Sequence, residues 1–140
     1  MSFDLKIIAG DLQVKNGDLS ILTGSGKLEQ DLTKIALTDI GSNPIQPWYG
    51  SLISNNLIGS SLPTDIVISS IKSQLERSIN ILKQLQDNQV ASGQKTSPNE
   101  LISYVSGISV LQNPQDLRTI NVAIKVLSRA FGTIITSLTV

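Results

Sequence analysis

The hydrophobic pattern of this chain changes its period once, near residue 100, and that change constrains the fold more than any other feature. Between Thr64 and Gln86 the apolar residues recur every three or four positions, which predicts an amphipathic helix. From Leu101 onwards they alternate with polar residues, which predicts strands that have one buried face and one polar face. A long helix followed by antiparallel strands belongs to the α+β class.

The long helix is expected to cover the apolar face of the strands. Thr64 is its predicted N-cap, and Asp65 in the first turn complements the helix dipole. Residues 87–98 are polar and include a glycine and a proline, so they are predicted to form a loop. The side chains expected to face the strands are Ile68, Ile71, Leu75, Ile79 and Leu82.

The last third of the chain is predicted to be a three-stranded antiparallel meander. The segment Asn113–Asp116 supplies the first turn, and residues 128–132 supply the second. One face is expected to carry Ile102, Tyr104, Ile108 and Val110 from the first strand, Ile120, Val122, Ile124 and Val126 from the second, and Ile134, Thr136, Leu138 and Val140 from the third.

The first half of the chain begins with a predicted hairpin. Asn16-Gly17 lies between two short alternating segments, and this dipeptide is a strong signal for a type I′ turn. A helix is predicted over residues 27–38, and a short helix over residues 50–57. Residues 41–50 contain two prolines and two glycines and are therefore predicted to be irregular.

Composition excludes several kinds of function. The chain has 140 residues, 11 basic and 11 acidic side chains, no His and no Cys. One domain over residues 1–140 is expected. Without His or Cys there is no thiol nucleophile, no Ser-His-Asp triad and no zinc site, and no cofactor or metal is expected.

The zero net charge argues against nucleic acid as a partner. The short apolar runs argue against membrane insertion, and the acidic N-terminus argues against a signal peptide. Low charge, at 16% of residues, suits a subunit that buries surface against partners.

Four short motifs occur in an order that is similar to a known family. They are Gly10-Asp11-Leu12, Asn16-Gly17-Asp18-Leu19, Leu28-Glu29-Gln30-Asp31-Leu32 and Pro47-Trp48-Tyr49-Gly50-Ser51-Leu52. This order resembles the baseplate wedge family of contractile phage tails, also called lysozyme-like, which has relatives in contractile injection systems. The resemblance covers nearly the whole chain and implies a hairpin, a helix ending near a glycine, a long helix and a C-terminal meander.

The resemblance also implies partners and a place of action. It implies a structural subunit of the baseplate wedge, assembled in the host cytoplasm into a six-fold hetero-oligomer, which docks other wedge proteins and starts the tail sheath. The family usually carries a Glu-Pro-Arg tripeptide before its first meander strand, linked to the sheath contact. Here only Glu100 is a candidate match, because Leu101 and Ile102 follow it in place of the proline and the arginine, and the sheath contact is expected to differ.

The residues expected to bind partners lie in three places. The C-terminal strand is β-branched and uncharged, so it is poorly guarded against edge pairing with another chain. A proline at its centre, at Thr136, is predicted to block that pairing more than folding, provided that the strand lies at the edge of the sheet. The aromatic pair of the Pro-rich loop is expected either to anchor the loop on the core or to form an exposed contact. The complete predicted set is Glu100, Thr133, Ile134, Ile135, Thr136, Leu138, Trp48 and Tyr49.

Two other functions are left open by the sequence. One is a small cytosolic adaptor of the same fold that binds a regulatory protein. The other is a peptidoglycan-cleaving lysozyme, which would need two carboxyl groups flanking a sugar cleft. Glu29 and Glu76 lie on helices among basic residues, Glu100 lies at a junction, and most aspartates lie at turns or caps. No pair is marked out, so the chain is expected not to be an enzyme.

Overall fold

The computed structural model describes residues 2–53, 63–116 and 119–140. Six two-residue strands form the N-terminal unit: β1 (Asp4–Leu5), β2 (Ile7–Ile8), β3 (Asp11–Leu12), β4 (Val14–Lys15), β5 (Asp18–Leu19) and β6 (Ile21–Leu22). Helices α1 (Gly24–Leu37) and α2 (Thr64–Ala91) follow, and then a 3-10 turn at Pro98–Glu100. The chain closes with β7 (Ile102–Gln112), β8 (Ile120–Ser128) and β9 (Thr133–Thr139).

The core lies between the two helices and one face of the C-terminal sheet. The sheet has the order β7-β8-β9 and is antiparallel throughout. Helix α2 lies mainly against β7, and α1 lies against β9. The largest fully buried apolar side chains of the core are Leu28, Leu32, Ile35, Ile71, Leu75, Ile79, Ile102, Val122, Ile124 and Val126. The predicted α+β architecture is therefore confirmed, with α1 rather than α2 as the main cover of the last strand.

Both helices extend beyond their predicted bounds. Helix α1 starts at Gly24 rather than at residue 27, and a Cβ on Gly26 in its first turn would lie 3.4 Å from Leu22 Cδ2. Helix α2 begins after Pro63, so Thr64 lies inside the helix and the predicted N-cap is wrong. The same helix continues to Ala91, five residues into the predicted loop, and ends where Gly93 adopts a φ of +79°.

Strand β7 departs from simple alternation at two irregularities in its pairing with β8. They fall between Ile102 and Tyr104 and between Val105 and Gly107. Each one shifts the inward-facing parity, so Val105 rather than Tyr104 follows Ile102 towards the core. Tyr104 is exposed, and its predicted place on the buried face is wrong. The alternation predicted for β8 and β9 is confirmed.

The predicted hairpin belongs to a closed ring of three strand pairs, two of which are hairpins and one of which joins the first strand to the last. Asn16 and Gly17 both have positive φ, as a type I′ turn requires, and the turn joins β4 to β5. Strand β3 pairs with β2, and β6 returns to pair with β1. The second half of the predicted short helix over residues 50–57 lies outside the described residues; at its start, Ser51 forms a bridge with Asp39.

The ring follows from a seven-residue repeat, Asp-Leu-x-(Ile/Val)-x-x-Gly, over residues 4–10, 11–17 and 18–24. At its centre, Lys6 N donates to Ser20 O, Ser20 N to Gln13 O, and Gln13 N to Lys6 O, each at 2.9 Å. In every copy the aspartate Oδ1 accepts the amide of the following leucine at 2.8 to 2.9 Å. The N-terminal unit therefore has approximate three-fold symmetry.

Candidate partner-binding site

Strand β9 pairs with β8 on one side, and its other side is an edge of the sheet. Ile120 and Val140 exchange two backbone hydrogen bonds of 2.9 Å, which fixes the phase of the ladder. Bonded and non-bonded pairs alternate in an antiparallel ladder, so the even-numbered residues of β9 direct their amides towards β8. The odd-numbered residues Thr133, Ile135, Ser137 and Thr139 direct their backbone groups away from β8, along the edge.

The side chains of β9 divide in the same way. Ile134, Thr136 and Leu138 are buried against the core, whereas Thr133, Ile135 and Ser137 are exposed. Ile135 is an isoleucine with 59% of its surface exposed, and no residue of β9 is charged. Of the predicted β9 contacts, Thr133 and Ile135 are therefore the two whose side chains and backbone groups are both open to a partner.

The Thr136 side chain is buried in the core. The residue lies opposite Ile124, where its amide bonds to β8, and its buried Oγ1 finds no hydrogen-bond partner among the described residues. A proline at this position would remove a bond inside the sheet. The register therefore argues against the prediction that Thr136→Pro blocks pairing more than folding, and it moves the test to an odd-numbered position.

The turn that leads into β9 exposes an aromatic side chain that sequence patterning missed. Phe131 has 86% of its surface exposed and a φ of +63°, a conformation that bulky residues rarely adopt. Its amide donates to Ser128 O at 3.0 Å. The signal that the sequence offers is an aromatic residue directly before a glycine in a predicted turn, Phe131-Gly132.

Glu100 lies at the same end of the sheet, since Ile102 pairs with Ser128 and Leu127 pairs with Thr133. Its side chain is buried, and only 1% of the residue surface is exposed. Oε1 accepts from Ser2 Oγ at 2.6 Å and from Ser97 N at 3.1 Å, while Oε2 has no hydrogen-bond partner among the described residues. A partner would have to displace Ser2 or its neighbours to reach the carboxylate.

A glutamine amide fixes the backbone on both sides of Glu100. Gln86 Nε2 donates to Glu100 O at 3.0 Å, and Gln86 Oε1 accepts from Ile102 N at 2.8 Å. Gln86 is 3% exposed, so both bonds form in a dry environment where an unpaired amide would be costly. The last turns of α2 thereby determine where β7 begins.

The two aromatic residues of the Pro-rich loop have different environments. Tyr49 is half-buried and packs against the core, which agrees with an anchoring role. Trp48 is 41% exposed and lies beside Ile81, Leu85 and Asn88 on α2. The structure therefore separates the pair: Tyr49 holds the loop, and Trp48 offers surface next to α2.

The loop reaches the end of α1 through a close backbone contact. Gly50 has a φ of +119°, and a Cβ on it would lie 2.3 Å from Thr38 O. Ser51 N donates to Thr38 O at 2.8 Å, and Ser51 Oγ donates to Ala36 O at 2.7 Å. Ser78 Oγ on α2 donates to Gly50 O at 2.8 Å. The Tyr-Gly-Ser motif is thus a junction between the two helices.

The charged groups near Tyr49 link the N-terminal ring to α1. Lys34 Nζ donates to Asp4 Oδ2 and lies 3.4 Å from Asp31 Oδ1. Burial acts to lower the pKa of Lys34, but the hydrogen bond to Asp4 and the charge of Asp31 outweigh it and raise that pKa above 10.5. Burial also raises the pKa of Tyr49, and the nearby Lys34 opposes this only in part.

Residues 2–53, 63–116 and 119–140 contain no cluster of three or more Asp and Glu side chains that could hold a metal ion. None of the helices described there is both long and apolar enough to cross a bilayer.

The chain is similar to proteins of known structure, but not to any family model or curated protein. Among solved structures, the chain is similar to a Geobacter sulfurreducens protein that carries the provisional name tail lysozyme. The TM-score is 0.60 with 10% sequence identity, over 82% of this chain and 87% of the other. At that identity the match shows that the two chains share a fold.

Proposed function

We propose that this chain is a non-enzymatic structural subunit of a contractile tail, part of the baseplate wedge. In this role it docks other wedge proteins, and β9 accepts an extended arm of a sheath subunit as an additional strand. The sequence resemblance to the baseplate wedge family and the fold shared with a tail-named protein both support a tail-related role. The six-fold assembly and the location in the baseplate belong to the same proposal.

The observation that carries the proposal is the edge of β9. Its outward amides and carbonyls come from residues whose side chains are exposed, and the strand has no charge along its length. Soluble proteins usually protect such edges with charges, prolines or a covering segment. An uncharged edge with an exposed isoleucine at Ile135 and an exposed Phe131 at its entrance is suited to pairing with another chain.

The experiment is sheath assembly on baseplates that carry a single substitution at the edge. Ser137→Pro removes an amide that points away from β8, so it should abolish sheath growth while leaving the sheet paired internally. Ile135→Lys places a charge on the same edge and should have the same effect. The matched control is Leu111→Lys, an equally exposed apolar position on β7, the opposite edge strand, and it should assemble normally.

The outcomes separate the proposal from its alternatives. Normal sheath growth by folded Ser137→Pro and Ile135→Lys proteins would contradict pairing at β9. If Leu111→Lys alone blocked growth, the docking edge would be on β7 instead. A chain that never enters tail particles and remains monodisperse would instead be the small cytosolic adaptor. Circular dichroism of each variant serves as the control for folding.

We also propose that the chain has no muramidase activity. Glu29 and Glu76 are exposed on helices, and the buried Glu100 side chain accepts hydrogen bonds from Ser2 and Ser97 through Oε1. A glycosidase needs one carboxyl group as acid and a second as base or nucleophile across a sugar-binding cleft. Turbidity of peptidoglycan suspensions should therefore stay constant. Turnover that disappears in Glu100→Gln would contradict this and identify a catalytic carboxylate.

A further inference from the structure

Helix α1 recognises one copy of the N-terminal repeat through a single glutamine and a lysine. Gln30 Nε2 donates to Asp4 Oδ2 and to Leu5 O, both at 2.8 Å, and Gln30 Oε1 accepts from Ile7 N at 2.9 Å. Lys34, one turn further along the helix, donates to the same Asp4 oxygen. One helix face thus binds an aspartate Oδ2, a leucine carbonyl and an isoleucine amide, all from the first copy.

The second copy presents the same atoms without a helix. Asp11, Leu12 and Val14 take the places of Asp4, Leu5 and Ile7, with Val14 opposite Leu19 as Ile7 is opposite Leu12. All three are exposed, and among the described residues their side chains make no hydrogen bond beyond the one from Leu12 N to Asp11 Oδ1. The third copy, with Asp18, Leu19 and Ile21, is exposed in the same way.

The residue paired with each aspartate distinguishes the two open copies. Asp4 pairs with Leu22, whose Cδ2 lies 3.4 Å from a Cβ placed on Gly26, so this apolar side chain also touches α1. Asp11 pairs with Ile8, which is apolar in the same way. Asp18 pairs with Lys15, whose charge would repel an incoming lysine. Lys15 also occupies the position that Leu22 has in the first copy, so a helix bound there would meet a charge instead of an apolar side chain.

We propose that the face formed by Ile8, Asp11, Leu12 and Val14, named the Asp11 face, binds an α-helix of a partner protein. That helix carries a small residue, a glutamine and a lysine at successive intervals of four, as Gly26, Gln30 and Lys34 do on α1. The three positions share one helix face. The glutamine satisfies the Leu12 carbonyl and the Val14 amide, the lysine pairs with Asp11, and the small residue lies over Ile8. The proposal is independent of the β9 edge.

The probe for this site is a lactam-bridged helical peptide with the sequence of residues 24–38, because an unconstrained peptide of this length is only marginally helical. It is titrated into the isotopically labelled full chain and followed by amide chemical shifts. Shifts should concentrate on Ile8, Asp11, Leu12 and Val14. A peptide with alanine in place of Gln30 and Lys34 should bind at least about tenfold more weakly, since it lacks the charge-assisted bonds.

Two reciprocal substitutions make the test specific. Ile8→Lys converts the Asp11 face into the pattern of the third copy, where Lys15 already stands beside Asp18 in a folded chain, and binding should disappear. Lys15→Ile makes the opposite conversion, and a second peptide should bind, with new shifts at Leu19 and Ile21. The dispersion of the amide spectrum reports that each variant is folded.

Several results would overturn the proposal. Undiminished binding by Ile8→Lys, or equal shifts at Asp11 and Asp18 in the unmodified chain, would remove the role of the paired residue. Shifts confined to Asp4 would mean that the peptide displaces α1 from its own copy. Concentration-dependent shifts at the Asp11 face without peptide would assign that face to a second copy of this chain instead.

Discussion

At the scale of the residue, Gly50 explains why a glycine follows the aromatic pair. Its φ of +119° lies in the region that favours glycine, and Thr38 O occupies the position where a side chain would begin. The close approach lets Ser51 bond to the end of α1 and lets Ser78 of α2 bond to Gly50 O. A single residue without a side chain therefore joins the two helices.

Gly50→Ala should destabilise the protein by about 2–4 kcal/mol, because overpacking adds to backbone strain. The measurement is the free energy of unfolding in urea. Gly41→Ala is the matched control, since Gly41 has a φ of +88° and a Cβ added there would meet nothing within 4 Å. It should cost only the strain of about 1–2 kcal/mol. If the two variants lost the same free energy of unfolding, the backbone at Thr38 would have moved away from the new Cβ at no cost in stability.

At the scale of the element, α2 is the longest helix described, and its buried stripe defines the core. The residues that it buries are Val67, Ile71, Leu75, Ser78, Ile79, Leu82 and Gln86. Four of the five predicted contacts, Ile71, Leu75, Ile79 and Leu82, are in this set, and Ile68 is partly buried at its margin. The stripe continues to Gln86, where apolar packing gives way to the amide bonds around Glu100.

Leu75→Ala should reduce the free energy of unfolding by about 2–5 kcal/mol, as for other buried leucines that leave a cavity. Leu75 is fully buried, so its truncation removes apolar contacts and leaves a cavity in the core. Denaturant titration measures the effect. Ile66→Ala, at a half-exposed position on the same helix, should cost less than about 1 kcal/mol and serves as the control. A loss below about 0.5 kcal/mol for Leu75→Ala would contradict the assigned helix face.

The elements differ in how far their sequence patterns determine them. The alternation of Ile120 to Val126 predicts β8 correctly because its ladder with β9 has no register shift, and the extra residues at the shifts of the β7-β8 ladder belong to β7. In β7 the irregularities near Tyr104 and Gly107 break the period of two; Gly107 is of a residue type common at bulges, whereas no such residue marks the shift before Tyr104. The polar residues after Gln86 suggest a loop and so predict the end of α2 too early, although the helix continues to Ala91, two residues before Gly93.

The candidate site is predictable from the sequence in part. Composition identifies β9 as a strand with no charge to protect its edge. Whether the backbone groups of Ile135 or of Thr136 point to that edge depends on the register with β8, which the local sequence does not determine. The N-terminal ring could have been found from the interval of seven between its aspartates and glycines, Asp4, Asp11 and Asp18 with Gly10 and Gly17. Reading the region only for alternation detects one hairpin and misses the second hairpin and the β1-β6 pair that closes the ring.

At the scale of the whole molecule, the N-terminal ring is tied to the body through Asp4. Burial acts to raise the pKa of Asp4, but hydrogen bonds from Lys34 and Gln30 outweigh it and lower the pKa below the ordinary value of 3.8. A carboxyl group whose pKa is lower in the folded chain stabilises the fold at every pH above the ordinary value. That contribution is lost as the pH falls through the folded pKa.

Asp4→Asn should therefore be less stable than the unmodified chain at neutral pH, and the difference should vanish in acid. The difference should be nearly constant down to about pH 4 and should fall below it. Lys34, whose pKa is raised, stays charged throughout this range. Urea unfolding of both proteins between about pH 7 and about pH 2 measures the difference. Asp18→Asn is the control, because it changes the equivalent aspartate of an exposed copy that α1 does not contact through Gln30 or Lys34.

The closure of the ring sets a counting rule for the length of this region. In an open repeat array, one unit can be gained or lost because each contacts only its neighbours. Here β6 must return to β1, and each central backbone amide donates to a carbonyl of another copy. A ring of two copies could not close, and a fourth copy would have no strand or carbonyl left to bond to. An insertion or deletion of seven residues, harmless in an open array, would open this ring, so natural length changes should fall at the turns around Gly10 and Gly17 instead.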